Sequence, residues 1–378
     1  MATFAPRRKS RPVTVRNVIV GGDAPVSVQS MTTTETADTA ATLDQIARLA
    51  NAGCEIVRVA VPGKEDADAL KIIVEKSPIP VVADIHFNHT LALMAADNGV
   101  DALRLNPGNL AKKDYIREVV RKAQACNIPI RIGVNAGSLE PQVKEKFPGD
   151  TVRGLVESAL LNVRLLEDEG FEDIVVSVKA SDPMSMVAAY REVAKLIPYA
   201  LHLGVTEAGT LKRGLIKSGI GIGILLAEGI GDTIRVSLTA DSVEEVTAGI
   251  EILRGVGLRQ EGVDLISCPS CGRAELDIHT LANQVEAMIQ DIKLPVKVAV
   301  MGCFVNGPGE AELADIGIAG GKNEFYIFRG EDRISKVPPA EALERFKQEL
   351  DKFIEENQDE LQARRQTTGN SQPQAVLV

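Results

Sequence analysis

Short apolar runs alternate with segments of helical periodicity between residues 26 and 240. The stretches 43–52 and 152–169 carry apolar residues at helical spacing, and each is followed by a glycine. This alternation is typical of a parallel α/β fold, and eight repeats predict an N-terminal (β/α)8 TIM barrel. The eight runs, rich in β-branched residues, begin at about Val26, Ile56, Val81, Ala102, Ile128, Ile174, Ala200 and Thr233.

Several of these runs carry polar residues on one face, although a covered parallel sheet should be apolar on both faces. In the fifth run, Ile130 and Ile132 alternate with Arg131 and Gly133. The polar positions cluster towards the carboxyl ends of the strands, which form the active-site end of a TIM barrel. One such residue alone would be interpreted as a satisfied interior group, but five cations on five strands predict an anion pocket: Arg58, Arg104, Arg131, Lys179 and Arg235.

A second, smaller domain is predicted after the barrel. A helix over 242–255 closes the barrel, and the stretch 257–262 is typical of a linker. We therefore assign 1–258 to the barrel, 259–364 to an α+β domain and 365–378 to a disordered tail. Within the second domain we expect a helix over 278–291, strands over 296–300 and 324–328, and a final helix from 340 to about 364.

Three of the five cysteines lie in this second domain, at a spacing suited to a metal. Cys268 and Cys271 form a C-x-x-C turn, and Cys303 follows after a predicted strand. The spacing does not choose between iron–sulfur and zinc, since His279 would complete a zinc site. The tight turn 306–309 can bring Glu310 back beside the cysteines, where a carboxylate would hold one iron loosely; an acid at a helix start is the alternative interpretation.

Composition narrows the class of function. The net charge of -10 argues against general nucleic-acid binding, because affinity for phosphate backbones comes from clustered lysine and arginine. No run of 18 apolar residues and no apolar signal-peptide core is present, so we expect a cytoplasmic protein without a membrane span. An odd, sparse cysteine set argues against a disulfide framework, and Cys54 and Cys126 are interpreted as ordinary buried thiols.

These features together resemble the bacterial 4-hydroxy-3-methylbut-2-enyl diphosphate synthase family in its two-domain form. The likeness rests on the three cysteines, the 306–310 loop and the barrel segments 131–138 and 206–209, and it covers residues 10–355. It implies reductive ring opening and dehydration of 2-C-methyl-D-erythritol 2,4-cyclodiphosphate in non-mevalonate isoprenoid biosynthesis. It also implies one 4Fe-4S cluster per chain, in an iron–sulfur domain with the ligands Cys268, Cys271, Cys303 and Glu310.

The resemblance also implies roles in the barrel. Glu207 corresponds to the family's acid, which protonates the departing hydroxyl. His86, Asn135 and Ser237 match neutral substrate contacts, with His89 as a competitor of His86, and the five cations match the diphosphate. Electrons are expected from flavodoxin or ferredoxin. The family's homodimer places one chain's cluster domain over the other chain's barrel mouth.

The sequence allows three other interpretations. The glycines 219, 221 and 223 lie inside an apolar helical stretch and do not open a helix, which argues against a nicotinamide site. A zinc-stabilised barrel lyase or transferase acting on a phosphorylated sugar would use the same arginines without electrons. An iron–sulfur sensor would need no acid at the pocket, so the Lys179, Glu207 and Arg235 constellation speaks against it.

Overall fold

The computed structural model describes residues 5–86, 88–106, 110, 112–272, 274, 277–303, 314–330 and 332–367. These residues form two compact units that divide after Leu258. The predicted ligand Glu310, its turn 306–309 and residues 368–378 of the predicted tail lie outside the described residues. Within the described part of the chain, no helix is long and apolar enough to cross a membrane.

The first unit is a closed barrel of eight parallel strands, which confirms the predicted fold class. Its strands follow one another in chain order, and the last pairs with the first, so the sheet has no free edge. A short antiparallel hairpin, β1 (Val13–Val15) and β2 (Val18–Val20), precedes them. The barrel strands are β3 (Ser27–Met31), β4 (Ile56–Ala60), β5 (Val81–Asp84), β6 (Ala102–Leu105), β7 (Ile130–Asn135), β8 (Ile174–Lys179), β9 (Ala200–Leu203) and β10 (Thr233–Ile234).

Helices surround this barrel and bury their apolar faces against its outward-facing residues. Several begin at an aspartate or asparagine whose side chain accepts a backbone N–H of the first turn, for example Asp150 and Asp241. The glycines 219, 221 and 223 lie inside one helix, as the sequence indicated. The helices are α1 (Thr39–Asn51), α2 (Lys64–Lys76), α3 (His89–Asp97), α4 (Lys113–Cys126), α5 (Pro141–Lys146), α6 (Thr151–Glu167), α7 (Pro183–Leu196), α8 (Leu211–Ala227) and α9 (Ser242–Gly255).

The hairpin β1–β2, which the sequence analysis did not predict, packs against one end of the barrel. Its residues Val13, Val15 and Val20 form an apolar cluster with inward-facing side chains at the starts of the strands. The hairpin therefore lies at the amino-terminal end of the barrel, opposite the predicted anion pocket. The barrel residues of this cluster are Ile56, Val82, Ala102, Val175 and Ala200.

The second unit is a five-stranded mixed sheet with helices. Its core includes Val285, Val298, Ile318 and Phe346. The predicted final helix is interrupted at Asn357, and its second part continues to Thr367, so residues 365–367 of the predicted tail are helical. The strands are β11 (Asp264–Ser267), β12 (Lys297–Met301), β13 (Ile316–Gly321), β14 (Glu324–Arg329) and β15 (Asp332–Val337), and the helices are α10 (Ile278–Ile289), α11 (Ala342–Glu356) and α12 (Gln358–Thr367).

Candidate active site and cysteine centre

The five predicted cations converge inside the carboxyl end of the barrel. Arg104, Arg131 and Lys179 are 6%, 5% and 6% exposed, and Arg58 and Arg235 are half-buried. All four arginines act electrostatically on Lys179. Five cations in one pocket repel one another, so the pocket is suited to an anion that offsets their charge.

Asp84 at the end of β5 links two of these arginines. Its Oδ1 lies 3.0 Å from Arg104 Nη1, and its Oδ2 lies 3.4 Å from Arg58 Nε. Burial opposes ionisation of Asp84, but Arg58 and Arg104 outweigh it and lower the pKa of the carboxyl to about 2. Burial lowers the pKa of Arg58 to about 9, against the effect of Asp84, so Arg58 stays charged near neutral pH.

Gly133 on β7 leaves room for the second contact of Arg104. The Arg104 Nη2 donates to the Gly133 carbonyl over 3.1 Å, and an added Cβ at position 133 would lie only 2.2 Å from Arg104 Nε. Any side chain at residue 133 would therefore displace the guanidinium from the strand. Gly133 lies on the same face of β7 as Arg131. Because it has no side chain, it leaves space for Arg104.

Arg131 and Lys179 have no carboxylate partner among the described residues. Arg131 donates from Nη1 to Gln29 Oε1. Burial, followed by repulsion from Arg58 and Arg104, lowers the pKa of Arg131. Burial, followed by repulsion from Arg235, lowers the pKa of Lys179 well below its usual value. When protonated, these two residues therefore carry charge that no carboxylate of the described residues offsets.

Met31 and Glu245 belong to the site but were not predicted from the sequence. The Met31 Sδ accepts from Arg58 Nε and Nη2 at 3.1 and 2.9 Å. Glu245 on α9 lies 3.4 Å from Arg235 Nη2. A methionine at the end of a strand and an acid in the first turn of a helix have ordinary structural explanations, so neither stood out.

His202 on β9 is also part of the barrel interior and was not predicted. It is fully buried, and burial, together with repulsion from Arg131 and Lys179, lowers the pKa of its imidazole well below the usual value. It is therefore neutral at physiological pH. The alternation of Leu201, His202 and Leu203, the signal that identified the other strands, would have predicted it.

The neutral candidates lie around the cations. His86 Nε2 lies 3.7 Å from Asp84 Oδ2, whereas His89 stacks on Tyr115 with ring centroids 3.7 Å apart. The structure thus brings His86, and not His89, to the buried Asp84. Asn135 is in register with Lys179 on the neighbouring strand, and Ser237 is half-buried just after β10.

Glu207 lies in a loop that follows β9 and is anchored by backbone hydrogen bonds. Its side chain is exposed, and its backbone is left-handed with a φ of 51°. Hydrogen bonds from Thr206 N to Ala180 O and from Thr239 N to Gly209 O hold the loop on both sides. No ion pair joins Glu207 to Lys179 or an arginine among the described residues. A glutamate in this conformation costs about 1 kcal/mol, which the anchored loop sustains.

The cysteines of the second unit lie at neighbouring strand ends. Cys268 follows β11 and Cys303 follows β12, and these strands are parallel neighbours. The Cys268 amide donates to Val300 O over 2.9 Å, and Ser270, with a left-handed φ of 68°, places its amide 3.4 Å from Cys268 Sγ. Cys271 is exposed after this turn. A backbone amide that donates to a cysteine sulfur is an arrangement suited to an iron–sulfur cluster ligand, so this part of the centre fits such a cluster.

The complete ligand set is not assembled within the described residues. No group of three or more histidine, cysteine, aspartate or glutamate side chains there is placed to hold a metal ion. His279, the candidate for a zinc site, is exposed in the first turn of α10. Away from the centre, burial raises the pKa of the Cys54 thiol to about 12, which agrees with an ordinary buried cysteine.

Comparison with known proteins matches both units. The profile of the GcpE TIM-barrel domain matches residues 10–250, and that of the GcpE protein C-terminal domain matches residues 264–352. The 4-hydroxy-3-methylbut-2-en-1-yl diphosphate synthase (flavodoxin) of Acidothermus cellulolyticus is 54% identical, over 94% of this chain and 91% of its own. The proteins of the same name from Geobacter sulfurreducens and Anoxybacillus flavithermus are 53% and 51% identical, over 93% and 94% of this chain and 99% and 98% of theirs.

Proposed function

The chain belongs to the GcpE family of 4-hydroxy-3-methylbut-2-en-1-yl diphosphate synthases, and we propose that it converts 2-C-methyl-D-erythritol 2,4-cyclodiphosphate to 4-hydroxy-3-methylbut-2-enyl diphosphate. The reaction opens the cyclic diphosphate with two electrons and expels one hydroxyl as water. It is a step of non-mevalonate isoprenoid biosynthesis, which we assign to the cytoplasm. The observation that carries the proposal is the cluster of five cations at the barrel mouth.

The charges of the pocket fit a diphosphate. Five cations face the two buried carboxylates Asp84 and Glu245, so these groups carry an excess of three positive charges when all five cations are protonated, as beside a bound anion. Arginine forks bind phosphate oxygens in a bidentate manner, and the carboxylates limit their freedom of orientation. Arg131 and Lys179, which lack such partners, supply the net attraction. His86, Asn135 and Ser237 complete the substrate contacts.

Glu207 is the proposed acid of the dehydration. Its side chain lies at the barrel mouth and is accessible, and its anchored loop fixes the origin of the side chain. The diphosphate contacts orient the substrate, and Glu207 donates the proton with which the hydroxyl leaves as water. The strained backbone at Glu207 supports a functional role, since such strain persists where position matters.

The second unit is the proposed electron-delivering part. Cys268, Cys271 and Cys303, with Glu310 as the fourth ligand, would hold one 4Fe-4S cluster per chain. When bound, such a cluster supplies single electrons and a Lewis-acidic iron. Flavodoxin is the proposed donor, since the relatives are named for it, and ferredoxin is the alternative.

A homodimer is the proposed assembly, with one chain's second unit over the other chain's barrel mouth. The outer face of α8 supports it, because Leu215, Ile216 and Ile220 are 38%, 59% and 44% exposed. Lysine and arginine at 212, 213 and 217 accompany them, whereas acidic residues outnumber basic ones over 259–364. Opposite charges on the two parts of one chain favour head-to-tail pairing.

Anaerobic purification followed by iron and sulfide analysis, electron paramagnetic resonance and turnover of the cyclodiphosphate with a chemical reductant tests the proposal. We expect stoichiometric iron and sulfide together with turnover. Stoichiometric zinc without sulfide would instead support the zinc-stabilised lyase or transferase. Iron and sulfide without turnover would support the sensor.

A further inference from the structure

Glu245 joins three positions of the barrel mouth through one carboxylate. Its Oε1 accepts from the Leu238 amide over 2.9 Å. Its Oε2 accepts from Ser30 Oγ over 3.1 Å and lies 3.4 Å from Arg235 Nη2. The residue is only 5% exposed. The buried Glu245 carboxylate therefore connects the end of β3, Arg235 and the backbone beside Ser237.

The helix that carries Glu245 is firmly placed. Asp241 caps the start of α9, and Glu245 lies in the first turn. Gly249 allows α9 to lie close to β3, because an added Cβ there would be 3.0 Å from Val28 Cγ1. A carboxylate fixed by a packed helix can hold the Arg235 guanidinium in one orientation.

We propose that Glu245 is a positioning residue of the diphosphate pocket. It holds Arg235 and the Ser237–Leu238 backbone in the arrangement that receives the substrate, and it acts through them without touching the substrate. This inference rests on the proposed function, because Arg235 and Ser237 are substrate contacts only in a pocket that takes the diphosphate.

A role in charge balance alone makes the opposite prediction. If Glu245 only offset the cations, removing its charge would strengthen anion binding and lower the KM. If it positions Arg235, removing its charge frees the guanidinium and raises the KM. The sign of the change in KM therefore separates the two roles.

Glu245→Gln isolates the contact with Arg235. The amide oxygen can still accept from Leu238 N, and the Ser30 hydroxyl can donate or accept. The amide nitrogen would face Arg235 Nη2, so a donor meets a donor. Glu244 is exposed in the same turn of α9, and Glu244→Gln is the matched control.

The test measures kcat and KM for the cyclodiphosphate on cluster-containing enzyme with a chemical reductant. We expect Glu245→Gln to raise the KM about tenfold, with little change in kcat and an unchanged cluster spectrum. In an Arg235→Gln background, the same change should alter the KM by less than about twofold, because its effect passes through Arg235. A lower or unchanged KM, or additive effects of the two changes, would overturn the inference.

Failure of the proposed function is separable from failure of this inference. If cluster-containing wild-type protein does not turn over the cyclodiphosphate, the proposed function fails, and calorimetry with inorganic pyrophosphate replaces the kinetic assay. Weaker pyrophosphate binding by Glu245→Gln, by about tenfold relative to Glu244→Gln, retains the positioning role. Equal dissociation constants for the two variants refute it.

Discussion

Arg131 crosses the barrel interior from β7 and donates a hydrogen bond to Gln29 on β3, the strand on the opposite side of the closed sheet. No carboxylate pairs with Arg131 among the described residues, so Gln29 is its side-chain acceptor there. The position of the guanidinium therefore depends on one neutral side-chain contact. This relationship leads to the first prediction.

Replacing Gln29 by Met removes that acceptor while preserving most of the volume. We expect the free energy of unfolding to fall by about 2 kcal/mol, because a buried charged donor loses its partner. Chemical denaturation measures this change. Gln142→Met, at an exposed position of α5, is the control and should unfold at the wild-type denaturant concentration. Equal stability of the two variants would contradict the assigned contact.

Lys179 should take up a proton when a diphosphate binds. Burial and the neighbouring arginines lower its pKa in the free protein, and an anion beside it raises that pKa again. Between the two pKa values the complex therefore holds a proton that the free protein lacks. Calorimetry with pyrophosphate in buffers of different ionisation enthalpy measures this uptake over a series of pH values below the usual pKa of lysine. Lys179→Met should abolish the uptake, whereas Lys144→Met, at an exposed position, should retain it.

Glu207→Gln should keep the cluster spectrum and lose turnover, because the amide cannot donate the required proton. Glu207→Gly should also lose turnover, yet raise the free energy of unfolding by up to about 1 kcal/mol, because glycine tolerates the left-handed φ. Steady-state kinetics and denaturation measure the two effects.

Asn127 provides the control for this conformation. It ends α4 with a left-handed φ of 53°, so Asn127→Gly tests relief of strain away from the barrel mouth. We expect full activity in this variant. Full activity in Glu207→Gln would refute the acid assignment.

Cys303→Ser should lose both the cluster and the turnover, since a serine oxygen is a poor replacement for a thiolate ligand of iron. Iron and sulfide analysis of anaerobically purified protein measures the loss. Cys126→Ser, on a barrel helix, should retain iron and sulfide. Wild-type iron content in Cys303→Ser would remove that residue from the ligand set.

The double change Ile216→Glu and Ile220→Glu should convert the proposed dimer to a monomer, because it places two charges in the exposed apolar face of α8. Sedimentation velocity measures the mass, and turnover should fall with it while iron is retained. Ile72→Glu, at a position on α2 that is 44% exposed, should leave the mass unchanged. A dimeric, active double variant would exclude this face from the interface.

Periodicity predicted the barrel because its helices and seven of its eight strands, all except β10, have four or more residues, which is enough to show a pattern. Ile56, Ala102 and Ile174 begin strands at the residues predicted from the sequence. The hairpin β1–β2 escaped because three-residue strands contain too few positions to establish alternation. The hairpin packs against Ile56, Val82 and Ala200, which are distant from it in the sequence, so this packing could not be predicted from local pattern.

Site residues could be predicted where the alternation of residues along a strand determines whether a side chain faces the barrel interior. Arg104 and Arg131 alternate with buried aliphatic residues, so their inward direction follows from their neighbours. Gln29 and Glu245 belong to the site because they contact Arg131 and Arg235. Alternation within one strand does not predict such contacts between different elements. Glu245 also lies in a helical first turn, where an acid needs no other explanation.

The hairpin β1–β2 packs its valines against the inward side chains at the strand starts. A tunnel through the barrel would need that end open, and the hairpin fills it. Substrate therefore enters, and product leaves, through the carboxyl-terminal end of the barrel. Linear product must leave through that end before the next cyclic substrate can enter.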